Sequence, residues 1–177
     1  MIRQEFLIIL FKKLLKIESS IKLQKIFYFT QQFENLNYIY NMSKYGPFSE
    51  ELAQDIEQLK NLNIIEVNLE NGTHNYKYNK KISDEILKQN IDYIEEKKYL
   101  FKKIKSLNKM SVCDLEIMAT IHFIFFNYLN KNNILELDKN WNEVLEIFKI
   151  YKGNKFSGDQ IILSRKKLVD FLNSINN

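Results

Sequence analysis

Ser43-Lys44-Tyr45-Gly46-Pro47-Phe48-Ser49-Glu50-Glu51-Leu52 is the stretch on which the fold turns. It contains the chain's only proline and one of its four glycines. Proline restricts the residue before it, and glycine reaches backbone angles closed to other residues, so Gly46-Pro47 reads as a tight turn. Ser49 follows as a helix cap, because its hydroxyl can accept a free amide proton of the first turn. Glu50 and Glu51 then complement the positive end of the helix dipole. Leu52, Ile56, Leu59 and Leu62 form one apolar face of a helix running to Leu62.

Upstream, Ile2 to Ile17 has helical spacing at Phe6, Ile9/Leu10, Lys13/Leu14 and Ile17. Ser19-Ser20 ends that helix and caps the next. Ile21 to Phe33 places Leu23, Ile26/Phe27, Thr30 and Phe33 on one stripe, with Lys22 and Lys25 turned to solvent. Tyr38 to Met42 alternates and reads as a short strand. Downstream, Ile64 to Val67 and His74 to Asn79 read as strands joined at Asn71-Gly72, a pair suited to a turn with left-handed angles.

From Ile82 onward the pattern is helical. A charged helix spans Ser83 to about Leu107. An apolar helix capped by Ser111 runs to Leu129, a third spans Trp141 to Tyr151, and Gly153 closes it. A last helix starts at Ser157, whose spacing to Gln160 has capping-box form. The expected architecture is mainly α, in the α+β class. Residues 1–81 form a winged helix-turn-helix unit with a small hairpin wing, and residues 82–177 form a helical part packed on it.

Bulk composition narrows the possibilities. The 177 residues are 45% hydrophobic, with 13 Phe and 10 Tyr, enough for a substantial core. The net charge of +4 is mild for a dedicated nucleic-acid binder. One cysteine, Cys113, excludes an internal disulfide framework and fits a reducing compartment. The apolar runs near the N-terminus and at Ile117 to Leu129 are too short to span a bilayer, so the expectation is a cytoplasmic protein without membrane association.

No sequence pattern announces chemistry. His74 lies beside the hairpin turn and His122 inside an apolar helix, and neither has a second ligand at metal spacing. Asp114 and Glu116 beside Cys113 oppose a reactive thiolate. There is no phosphate-binding glycine loop and no nucleophile elbow. The expectation is therefore a non-enzymatic protein with no catalytic residue, metal or cofactor.

Lys22-Leu23-Gln24-Lys25-Ile26-Phe27-Tyr28, Tyr45 to Leu52 and Leu59 to Ile65 resemble the YwgA-like family of bacterial and archaeal proteins. Leu115 to Ile121 and Lys155-Phe156-Ser157 fall where that family has related runs. The Tyr-Gly-Pro-Phe-Ser motif is also similar to one in the Panacea-type antitoxin domain, which neutralises toxins by protein contact. Both resemblances imply a winged-helix-like core, and neither supplies a catalytic residue.

Two binding readings follow. The first is a regulator contacting double-stranded DNA through Lys22, Lys25, Lys44, Gln54, Gln58 and the wing lysines Lys77, Lys80 and Lys81, aided by the lysine-rich run Lys97 to Lys109. Against docking by the 49–62 helix, four carboxylates (Glu50, Glu51, Asp55, Glu57) face Lys60 alone, and each would be repelled by phosphate by roughly a kcal/mol. The second reading is an antitoxin-like protein-interaction module. It would use Tyr45, Gly46, Pro47, Phe48 and Ser49, with the two rings as anchors for a protein partner. A homodimer through the Ser83 to Leu107 helix is a further expectation.

Overall fold

The computed structural model describes residues 3–79 and 88–174. Among these the chain is mainly helical, with a three-stranded antiparallel sheet and a separate two-stranded hairpin. Two compact units emerge: Met1–Tyr40 with Ser49–Met110, and Asn41–Phe48 with Ser111–Asn177. This division differs from the expected boundary at 81/82. Residues before Ser111 belong to the first unit, and the hairpin around Gly46-Pro47 belongs to the second.

In the first unit, helix α1 (Arg3–Leu14) buries six consecutive residues, Phe6 to Phe11, and so is enclosed on all sides. It ends three residues earlier than its periodicity predicts. Leu15 takes a left-handed backbone (φ 64), and Lys16–Glu18 forms strand β1 instead of a last helical turn. Ile17, expected on the helical stripe, is fully buried opposite Tyr76 of the sheet. A leucine in left-handed geometry costs about 1–2 kcal/mol that glycine does not. Glycine also loses more chain entropy on folding, by about 0.5–1 kcal/mol. Leu15 is 54% exposed, so little packing is lost on replacing it. Leu15→Gly is therefore expected to raise stability by about 0.5–1 kcal/mol, measured by urea unfolding; an unchanged or lower midpoint would contradict the strain argument.

Helix α2 (Ser20–Thr30) is capped by Ser19, whose hydroxyl accepts from the Lys22 amide at 3.1 Å. Every residue from Lys22 to Thr30 is buried. This corrects the expectation that Lys22 and Lys25 face solvent: their exposures are 7% and 1%. The apolar stripe was real, but surrounding elements cover the opposite face too. Burial pushes the Lys22 ammonium below its ordinary pKa, with Glu18 opposing.

The strand expected over Tyr38 to Met42 begins only at Asn41, and Tyr38 and Tyr40 lie outside it. Their buried rings pack edge-on with each other, and that of Tyr40 also edge-on with Tyr28, so ring–ring packing rather than strand pairing explains the alternation. Helix α3 (Glu50–Asn61) is capped by Ser49 as predicted. It buries Leu52, Asp55, Ile56 and Leu59, whereas Leu62 lies beyond its end and is exposed. Strands β4 (Ile65–Glu70) and β5 (Thr73–Tyr78) join through Asn71 and Gly72, both with positive φ as the Asn-Gly signal requires. The sheet order is β1-β5-β4.

Later helices belong to this unit as well. The predicted helix Ser83 to Leu107 begins in part outside the described residues. Its remainder is divided at Lys97 into α4 (Ile91–Glu96) and α5 (Lys98–Lys109). Phe101, Ile104 and Leu107 of α5 are buried, and α5 packs on α1 and α2, with Phe6 and Phe101 stacked at 6.1 Å. Asn108 Nδ2 donates to the Lys16 carbonyl at 2.9 Å and ties α5 to β1.

The second unit contains the hairpin β2 (Asn41–Ser43) and β3 (Gly46–Phe48), paired Met42 to Pro47. Its centre is α6 (Val112–Phe123), capped by Ser111 and continued by a π-helical turn, Ile124–Tyr128. Strand β3 and helices α7 (Trp141–Lys152) and α8 (Gly158–Asn173) pack on α6. The expected capping box at Ser157 and Gln160 is present. Among the described residues no single helix is long and apolar enough to cross a membrane.

Candidate functional site

The Gly46-Pro47 hairpin rests on an ion cluster that the sequence reading did not assemble. Glu116 lies on the apolar helix α6, where a lone carboxylate must be compensated. Its side chain is 3% exposed. Lys152, at the end of α7, has a fully buried side chain and donates to Glu116 Oε1 at 2.8 Å and to the Lys44 carbonyl at 2.7 Å. Lys155 donates to both Glu116 oxygens, at 2.7 and 2.8 Å, while remaining 40% exposed. Burial draws the Lys152 pKa below its ordinary value, and the hydrogen bond and charge of Glu116 act the other way. One carboxylate thus faces two ammonium groups, leaving an excess positive charge under the hairpin.

Local geometry makes the turn rigid. Ser43 Oγ donates to the Gly46 carbonyl at 2.7 Å and accepts from the Tyr45 amide at 3.3 Å. Gly46 adopts φ 86, which excludes side-chain-bearing residues at low cost. Gly46 and Pro47 are buried. Tyr45 is 41% exposed and Phe48 37% exposed. The Tyr45 ring has the Lys155 ammonium 4.7 Å from its centroid and that of Lys44 at 5.6 Å. Two cations against one ring hold it in place and give the surrounding surface positive charge.

Ser49, the fifth residue of the predicted partner loop, is not available to a partner. It is fully buried in the first unit, where its hydroxyl caps α3. Its backbone amide donates to Gln24 Oε1 and its carbonyl accepts from Gln24 Nε2, both at 3.0 Å. Gln24 satisfies two buried backbone groups at once, which accounts for a glutamine in the middle of an enclosed helix.

The predicted nucleic-acid contacts fall in different settings. Lys22 and Lys25 are buried in α2, and Lys44 belongs to the hairpin of the second unit. Gln54 is exposed on α3, and Gln58 there accepts from Gln4 at 2.8 Å. Lys77 lies 3.7 Å from Glu70, while Lys16 approaches Glu18 at 3.5 Å and Glu70 at 3.8 Å, so carboxylates balance the wing. Lys80 and Lys81 lie outside the described residues. The acidity of α3 is also less than its sequence suggests. Asp55 is buried and bonded to Arg3 at 2.8 Å and to Tyr38 at 2.8 Å, and Glu51 accepts from the Ile39 amide at 3.3 Å.

His74 is exposed, and its carbonyl accepts from the Ser19 amide. His122 is buried, stacked on Phe126 at 4.4 Å, and burial pushes its pKa down to about 3. Cys113 is half-buried, and burial together with Asp114 and Glu116 raises its thiol pKa. Among the described residues no group of three or more His, Cys, Asp or Glu side chains could hold a metal ion. No family model matches the chain, and no curated protein matches it.

Proposed function

We propose that this protein is a regulatory binding module that captures an acidic, aromatic-accepting segment of a protein partner on its Tyr45–Phe48 hairpin. The observation that carries this reading is the half-exposed Tyr45 ring, held against Lys44 and Lys155 above the buried Glu116–Lys152 pair. Rigid aromatic side chains make strong interface anchors because little entropy is lost when they are covered. The positive rim favours a partner carrying carboxylates and disfavours a basic one. The similarity of the Tyr-Gly-Pro-Phe-Ser motif to the Panacea-type antitoxin domain supports the same mode of action. The reading is one of binding rather than catalysis: Glu116 and Lys152 are satisfied by each other, by Lys155 and by the Lys44 carbonyl.

The first unit is read here as a winged helix. Its helix–strand–helix–helix–strand–strand order and its β1-β5-β4 sheet support that reading, with α3 in the recognition position and β4–β5 as the wing. Duplex DNA docking on this face receives less support. Lys16 and Lys77 share Glu70, Glu57 is bridged to Lys60 at 2.8 Å, and Glu50 and Glu66 are exposed.

The test uses the intact protein as bait, with quantitative mass spectrometry of what it retains from the source cell. Tyr45→Ala and Phe48→Ala are expected each to lose the same captured protein at least tenfold while the thermal midpoint stays within a few degrees. Calorimetry with that protein purified should give 1:1 binding weakened by added salt. A partner held equally by wild type and both variants would refute the hairpin as the docking site.

A further inference from the structure

Outside the hairpin, the first unit carries a groove of about 690 Å³ with a floor from Ile94, Tyr99 and Phe101 and a wall of lysines from α1 and α5. Lys13 contributes from α1, with its ammonium 5.8 Å from the Phe101 ring centroid. On α5, Lys98, Lys102, Lys105 and Lys109 recur at four-, three- and four-residue steps. At 100° per residue these four fall within about 60° of arc. At 1.5 Å rise per residue they form a straight row about 16 Å long.

The charge of this row is largely uncompensated. Some lysines elsewhere meet carboxylates: Lys77 with Glu70, Lys97 with Glu34, Lys152 with Glu116, Lys167 with Asp114. Lys98 reaches Glu95 only at 3.8 Å, with both side chains largely exposed. Among the described residues no carboxylate lies within ion-pair distance of Lys13, Lys102, Lys105 or Lys109. Glu95 and Glu96 also line the groove, against the four lysines Lys13, Lys98, Lys102 and Lys105.

We infer that this groove binds a single-stranded nucleic-acid segment, its phosphates along the α5 lysine row and a base stacked on Tyr99. Each strand of a duplex carries one phosphate per about 3.4 Å of axis and the phosphates of an extended unpaired strand lie farther apart, so the row spans about three to five phosphates. Tyr99 is 54% exposed and its ring already accepts the Lys103 ammonium at 4.7 Å, an arrangement suited to base stacking beside a cation. An anionic membrane fits less well. The apolar side of α5 (Phe101, Ile104 and Leu107) is buried in the protein and cannot enter a bilayer. A row of cations beside an apolar floor also suits an unpaired strand, whose bases are open, better than a duplex, whose bases are stacked away. This surface is distinct from the hairpin, and the inference does not depend on the protein-partner reading.

The experiment is fluorescence anisotropy of the intact protein with labelled dT20, U20 and a 20-base-pair duplex, from 20 to 200 mM salt, with anionic phospholipid vesicles in parallel. The expectation is micromolar binding of a single strand, with a salt slope of about −2 for three phosphate contacts at about −0.7 each. Lys102→Glu with Lys105→Glu should weaken it at least tenfold, and Tyr99→Ala several-fold. Lys149→Glu with Lys166→Glu makes the same change in net charge on exposed positions of the second unit and should cost less than twofold. A ratio between dT20 and U20 identifies which strand is preferred. Should the charge reversal fail to fold, Lys102→Gln with Lys105→Gln replaces it, with a fivefold loss expected. The inference is overturned by no binding at low salt, by an equal loss in the control pair, by a duplex bound as tightly as the single strand, or by binding to vesicles alone.

Discussion

Glu116→Gln is expected to destabilise the second unit by about 3–5 kcal/mol, the usual cost of removing one partner from a buried ion pair. The Lys152 side chain is fully buried and keeps only neutral carbonyl acceptors, those of Lys44 and of the new amide, once the carboxylate charge is gone. Lys155, 40% exposed, can turn to water, so the penalty falls on Lys152. At about 2–4 °C per kcal/mol for a chain of this size, the thermal midpoint should drop by roughly 10 °C. Removing the charge from both partners tests the cause. Glu116→Leu with Lys152→Met replaces the pair by apolar side chains of similar volume and should recover most of the loss, because no isolated charge remains. Lys155 then becomes free and the turn loses its anchor at the Lys44 carbonyl, so the stable double variant should still bind a hairpin partner more weakly. A Glu116→Gln protein as stable as wild type would show that Lys152 reaches water and that the cluster does not hold the hairpin.

Acid sensitivity is the second large effect. His122 has a folded pKa near 3 because burial disfavours its charged form, against an ordinary value of 6.5. Its folded pKa is depressed, so between these values the unfolded chain holds a proton that the folded protein does not. Stability therefore rises with pH through this window and is lost as pH falls below 6.5, by about 1.4 kcal/mol per unit once the unfolded histidine is protonated. Between pH 6.5 and 5 the contribution is about 2 kcal/mol. Above pH 7 it vanishes, since both states are neutral there. His122→Leu removes the titrating group while keeping the site apolar. The measurement is urea unfolding of both proteins at pH 5, 6 and 7.5. The difference between them should shrink toward acid, with wild type losing more. Carboxylates add their own acid loss to both proteins, and that loss cancels in the comparison. Asp114, for example, is held below its ordinary pKa: burial acts upward but hydrogen bonds from Lys167, Ser111 and Ser164 outweigh it. Parallel curves for the two proteins would mean that His122 is reached by water.

Local chemistry was legible in the chain alone. Ser49, Ser111 and Ser157 were identifiable as caps because a hydroxyl before an apolar period has one favourable use. Asn71-Gly72 was identifiable as a turn because few pairs tolerate two positive φ angles. A bend near Gly46-Pro47 was legible too, but the turn itself falls one step earlier, at Lys44-Tyr45, and Gly46-Pro47 opens strand β3, a pairing with β2 that local chemistry does not announce. The legible features are interactions between residues at most a few positions apart.

Where a period continued past its element, reading failed. Ile17 kept the helical spacing of α1, yet the strand partner that buries it is Tyr76, far along the chain. Lys22 and Lys25 sat off the apolar stripe of α2, and nothing near them signals that other elements cover that side as well. The site itself was the least legible part. Glu116 stood out in principle as a carboxylate in an apolar run, but its partners lie 36 and 39 residues away, and the carbonyl that shares Lys152 is 108 residues from it. The sequence by itself determined where helices and turns begin, because capping and turn chemistry are local. Only the tertiary structure decided which charges are buried, which lysines are already neutralised and which remain free for a ligand, because desolvation and pairing depend on neighbours brought together by folding.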